Sequence, residues 1–79
     1  MTLRITPASN ADPETLRLEG RLRAGEVPEL ERSAETGVRA LDLEDLQSAD
    51  EDGLAAIRRL RDRGVEIRNP SHYLAMLLA

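Results

Sequence analysis

The side chains able to do chemistry fall in two places. Ser71 and His72 are adjacent, and His72 is the only histidine of the chain. A serine beside a histidine suggests a nucleophile and its base. Neighbouring residues on a helix point apart, however, so adjacency alone makes no dyad. A histidine just after a Pro-Ser helix start is expected at the surface or as a cap. The second place is acidic: Asp42, Glu44, Asp45, Asp50, Glu51 and Asp52. Hard cations take oxygen ligands of this type, and open α/β sheets bind ligands at the carboxyl ends of their strands. The spacing matches no calcium loop, and Asp50, Glu51 and Asp52 are equally explained by a helix start. No metal site is assigned. Cysteine is absent, which removes thiolate nucleophiles, thiolate ligands and disulfides. Leu-Glu-Gly-Arg-Leu-Arg-Ala-Gly, from residue 18, is not a phosphate-binding loop. No catalytic residue and no cofactor are expected, and the chain does not read as an enzyme.

The elements that position these residues follow from periodicity. Residues 2–6 and 15–19 alternate polar and apolar, with Leu3, Ile5, Leu16 and Leu18 facing inward. The turn formers from Pro7 to Pro13 join them as an antiparallel hairpin. Gly20 and Gly25 frame a connector. Val27, Leu30 and Ala34 then recur at helical spacing, with Pro28 tolerated in the first turn and Gly37 at the end. Residues 38–43 read as a third strand. The next helix is the best marked. Ser48 and Glu51 have capping-box spacing, with Asp50 as an alternative cap. Leu54, Ile57 and Leu60 form its stripe, and Gly64 closes it. Its acidic start and its arginines Arg58, Arg59, Arg61 and Arg63 suit the helix dipole. Residues 65–68 form a fourth strand, and Asn69-Pro70-Ser71 opens a last helix through Leu78. The expected fold is α/β, a four-stranded mixed sheet with helices packed on it, in the order β-β-α-β-α-β-α. Strands alternating with helices imply parallel pairing among the last three strands.

Length and charge narrow the function. The chain has 79 residues, enough for a single domain, 1–79, and a domain of this size buries only about 60% of its unfolded surface. With one tyrosine and neither phenylalanine nor tryptophan, it offers no aromatic platform for stacking bases. The 15 acidic and 11 basic residues leave a net charge of −4, which disfavours phosphate backbones and anionic membranes. Nucleic acid is therefore not an expected partner. No apolar run suits membrane insertion, and the N-terminus lacks a signal-peptide pattern. A small domain without disulfides is expected in the cytoplasm. Every basic residue is arginine, in keeping with codon bias in a GC-rich bacterial genome.

Residues 40–64, from Ala-Leu-Asp-Leu through Ser-Ala-Asp-Glu-Asp-Gly-Leu to Arg-Asp-Arg-Gly, resemble the core signature of the STAS domain. That family includes anti-sigma factor antagonists and the ends of sulfate transporters. Asp42 matches its strand Asp, Asp50 its loop Asp, Gly53 its loop Gly and Leu54 the first helix residue. Leu18-Glu19-Gly20-Arg21-Leu22 resembles its second strand and the following turn. The resemblance spans nearly the whole chain. It implies a non-catalytic regulatory module that binds a protein partner, either a kinase-type anti-sigma factor or a transporter subunit. The docking surface would be the loop Ser48, Asp50, Glu51, Asp52, Gly53 and Leu54, with Arg58, Arg59 and Arg61 on the helix that follows. Alternatives are an accessory subunit of a membrane transport ATPase, or a small-ligand or nucleotide-binding domain.

Two departures from the family shape these expectations. The residue before the loop Gly is the family's phosphorylated Ser or Thr; here it is Asp52, preceded by Glu51. A carboxylate cannot accept the phosphoryl group in that switch, and it copies the phosphorylated state with less charge. The family also usually continues with a fifth strand and a closing helix. Without them, residues 65–68 become a sheet edge and the apolar Leu74, Met76, Leu77 and Leu78 exceed one face's needs. A homo-oligomer, or a complex covering this end, is expected.

Overall fold

The structure, a computed structural model, describes residues 3–9, 12–35 and 37–78. Two alternating segments form its first edge. Strand β1 (Leu3–Ser9) lies antiparallel to β2 (Asp12–Leu22), with Ile5 opposite Leu18 and Pro7 opposite Leu16. The turn formers between them mostly continue the ladder: Ser9 faces Asp12, with a register irregularity after Pro7. Pro7 is tolerated because β1 is an edge strand, where a missing N–H costs no ladder bond.

After a single 3₁₀ turn (Ala24–Glu26), helix α1 (Val27–Ala34) starts with a proline in its first turn. Strands β3 (Ala40–Asp42) and β4 (Leu46–Ala49) follow, then α2 (Glu51–Asp62), β5 (Glu66–Arg68) and α3 (His72–Leu78). The sheet runs β1-β2-β3-β5, with β4 also paired to β2. β3 and β4 are parallel to β2, and β5 is parallel to β3.

The sheet thus has five strands rather than the expected four. The reason lies at Leu43–Asp45, where the third strand breaks. Asp42 Oδ1 accepts a hydrogen bond from the Glu44 amide at 3.0 Å, and the Leu46 amide returns to the Leu43 carbonyl at 3.1 Å. An Asp folding onto the backbone two residues ahead makes such a turn without external help. Chain direction is kept, so the path resumes along β2 as β4. Thr15–Arg17 of β2 pair with β3, and Gly20–Leu22 pair with β4. Gly20, expected to begin a connector, instead lies inside β2 with φ of 94°, where the register shifts. Glycine adopts that conformation without the β-carbon clash other residues meet.

Alternation divides the sheet into two unlike faces. Leu3, Leu16, Leu18, Leu22, Leu41, Leu43 and Leu46 share one buried cluster with Leu30 of α1, Leu54, Ala56, Ile57 and Leu60 of α2, and Leu74 and Leu78 of α3. Each fully buried leucine contributes on the order of 2 kcal/mol. The intervening positions carry Arg4, Thr6, Arg17, Glu19, Asp42, Glu66 and Arg68, all half-buried or exposed, together with Thr15 and Ala40, which are buried. The buried residues of all three described helices join the leucine face, and the other face is mostly polar. Arg17 meets Asp45 there at 2.6 Å, and Arg68 Nη1 donates to Thr15 Oγ1 at 3.2 Å. No described helix is long and apolar enough to cross a membrane.

Candidate functional site

The loop singled out by its residue types lies where α2 begins, and two distant segments build it. Asp50 is the N-cap of α2, with extended backbone (φ −81°, ψ −176°). Its Oδ1 accepts from the Gly53 amide at 2.8 Å. Its Oδ2 accepts from the Ala24 amide at 3.0 Å, across 26 residues of sequence. The Asp50 amide donates to the Leu22 carbonyl at 3.1 Å, and the Asp50 carbonyl accepts the first helical bond from Leu54 at 2.8 Å. One residue therefore ties the helix start to the end of β2 and the turn after it.

These donors stabilise the charged carboxylate. The amide of Gly53 contributes most and that of Ala24 next, with Arg23 adding attraction, so Asp50 titrates below the usual aspartate range. Ser48 is not the cap. It is still in β4, paired with Arg21, and the helix does not start until Glu51. The capping box expected from Ser48 and Glu51 is replaced by the same three-residue reach two positions later, from Asp50, the alternative cap, to the Gly53 amide.

Gly53 completes the seam. A β-carbon there would stand 2.6 Å from the Leu22 carbonyl oxygen and 2.9 Å from Leu22 Cγ. Gly53 and Leu54 are buried, so they position the loop rather than offer it to a partner. Glu51 and Asp52 are exposed on the first turn of α2, and Arg21, Arg23, Ala24 and Gly25 are exposed on the adjoining segment. The outcome is an acidic step beside arginines, held by backbone bonds. Sequence reasoning missed Arg21, Arg23 and Ala24. The signal available was Leu18-Glu19-Gly20-Arg21-Leu22, whose end the fold brings under the loop.

The three arginines proposed for docking all have partners within the chain. Arg59 pairs with Glu31 of α1 at 2.7 Å. Arg58 donates to the Leu77 carbonyl and Arg61 to the Leu78 carbonyl, so both cap the open end of α3. Such carbonyls lack helical donors, and arginine satisfies them while complementing the dipole.

Asp42 and Asp45 are also engaged. Asp45 holds Arg17, and that carboxylate favours the charged guanidinium further. Asp42 accepts from Glu44 and, at 3.4 Å, from the Asn69 side chain. Glu19, Glu44 and Asp45 border a wide, shallow hollow with Gln47 and Ser71. Ser71 Oγ accepts from the Leu74 amide at 3.1 Å, capping α3, and His72 is exposed beside it. The serine is thus occupied in helix initiation.

Comparison with protein-family models, curated proteins and solved structures finds no match to this chain.

Proposed function

We propose that this domain is a non-catalytic, STAS-like regulatory module of the bacterial cytoplasm that docks a protein partner at the start of α2. The observation that carries the reading is the double use of Asp50: both carboxylate oxygens hold backbone amides, fixing the exposed Glu51 and Asp52 on a rigid turn. A preorganised turn loses little freedom on binding, which favours recognition at a small surface. Glu51 supplies contact charge, Asp52 sets how strongly the partner docks, Ser48 lies behind them in β4, and Asp50, Gly53 and Leu54 keep the geometry. Arg58, Arg59 and Arg61 border the surface while serving the fold.

Asp52 stands where the resembling family carries its phosphoacceptor. Its carboxylate belongs to the side chain and cannot be added or removed by a kinase or phosphatase, so the module is held in one signalling state instead of being switched. The partner class that fits is an ATP-binding, kinase-type anti-sigma factor encoded near this protein's gene. Calorimetric titration of such a partner, with mass spectrometry after incubation with ATP, tests this. The native chain should bind weakly and take up no phosphate at residues 48–53. Asp52→Ser should bind about tenfold more tightly, the scale of one removed like-charge contact. Phosphate mapped to the native loop, or equal binding by both proteins, would sink the proposal.

A further inference from the structure

The strand edge at β5 matches itself. Among the described residues, β5 pairs only with β3, and it ends the sheet. The Glu66 amide donates to the Arg39 carbonyl at 2.8 Å, and the Arg68 carbonyl accepts from the Leu43 amide at 2.9 Å. Residues 66 and 68 therefore point their backbone groups toward β3, and alternation turns the N–H and C=O of Ile67 to the outer edge. Short length and charged side chains normally discourage edge pairing. Here the charges are arranged as Glu66-Ile67-Arg68, opposite in sign on either side of the outward-facing residue.

We infer that two copies of this chain pair antiparallel through β5, about a two-fold axis at Ile67. In that register each Ile67 exchanges both backbone hydrogen bonds with its counterpart. Each Glu66 then stands directly opposite the Arg68 of the second copy, where opposite charges on facing strands attract. Glu66 and Arg68 already meet within the strand at 2.7 Å and are about half exposed, so both remain within reach of a second copy. A two-fold axis presents the same surface twice, so a complementary pair is formed twice.

Backbone pairing over three residues cannot supply the area of a stable dimer, which is on the order of 1,200 Å² or more. α3, which follows β5 after a short turn, supplies apolar surface. Tyr73 and Met76 are the exposed large hydrophobic residues among those described, at 60% and 65% exposure, and both lie on α3. A shallow cavity of about 190 Å³, lined by Arg61, Ile67, Pro70, Ala75 and Leu78, lies between β5 and α3. It joins Ile67 on the β5 edge to Ala75 and Leu78 on α3, so the edge continues into apolar helix surface that a second copy can cover.

Charge reversal tests the register. Light scattering and sedimentation of the full chain across a series reaching high micromolar concentration should show a concentration-dependent dimer. Glu66→Arg places arginine opposite Arg68 twice, and Arg68→Glu places glutamate opposite Glu66 twice. Each alone should raise the dimer dissociation constant about tenfold or more. Mixing the two variants restores opposite charges at both contacts, as does the double exchange E66R/R68E, and dimer should return in each case. Recovery on mixing cannot come from a misfolded variant, so folding damage and interface loss are separated. A native chain that stays monomeric overturns the inference. So does a native dimer indifferent to both reversals, or single variants that fail to dimerise when mixed.

Discussion

Gly53 and Leu22 touch at a distance that no side chain could share: a β-carbon on Gly53 would lie 2.6 Å from the Leu22 carbonyl oxygen. Gly53 is the third residue of α2, where replacing glycine by alanine normally gains about 1 kcal/mol. Here the blocking atom is backbone, which cannot rotate away, and overpacking of this kind costs about 1–3 kcal/mol. The clash outweighs the propensity. Gly53→Ala should destabilise by about 1–2 kcal/mol in urea denaturation. The loss should persist in a Leu22→Ala background, because the nearest contact is the carbonyl. A Gly53→Ala protein as stable as the native chain would show that the seam between β2 and α2 is looser than described.

Asp50 makes stability depend on pH in a defined direction. Its folded carboxyl titrates below the unfolded value, because the amides of Gly53 and Ala24 favour its charged form. The unfolded chain therefore binds the proton more readily. The contribution is fully present above the unfolded value of about 3.9, and it is lost as pH falls through the folded one. Asp50→Ala should lower the melting temperature by several degrees at neutral pH. The gap between native and variant should narrow as pH falls below about 4. A constant gap down to strongly acid pH would assign the loss to something other than the charged cap.

Arg58 and Arg61 hold the end of α3 through the carbonyls of Leu77 and Leu78, whereas Arg59 makes an exposed pair with Glu31. Hydrogen bonds from charged donors are stronger than neutral ones, but these are partly exposed, so about 0.5–1 kcal/mol each is reasonable. Arg58→Gln and Arg61→Gln together should raise amide exchange at Leu74–Leu78 several-fold with little change elsewhere. Arg59→Gln should leave α3 exchange unaltered, since exposed pairs contribute about 0–1 kcal/mol and this one joins other helices. Equal effects from all three would mean that the arginines act only through general charge.

Much of this architecture is legible in the residues themselves. The alternation of Leu16 and Leu18, the stripe Leu54, Ile57 and Leu60, and the closing Gly64 each specify an element through local period and local backbone preference. The α/β class and the parallel pairing of β2, β3 and β5 follow from their order. The break at Leu43–Asp45 was less accessible. Leucine and acidic residues alternate through 41–44 as a strand would, and the break comes from the Asp42 side chain accepting from the Glu44 amide and from the Leu46 amide returning to the Leu43 carbonyl. Likewise Ser48 and Asp50 both have cap chemistry, and the choice between them depends on how far β4 runs beside β2.

The candidate site shows the same division. Its acidic residues and loop glycine can be read from the sequence, because charge and conformational freedom belong to the residue. What they do depends on neighbours far along the chain. Ala24 receives Asp50 across 26 positions, and Leu22 meets Gly53 across the β2–α2 seam. Arg58 and Arg61 have outward charge in the sequence, yet their carbonyl partners exist only once α3 docks beside α2. Short-range periodicity determined the elements of this protein. Contacts between segments distant in sequence, which no local pattern encodes, decided which side chains hold the fold and which stay exposed.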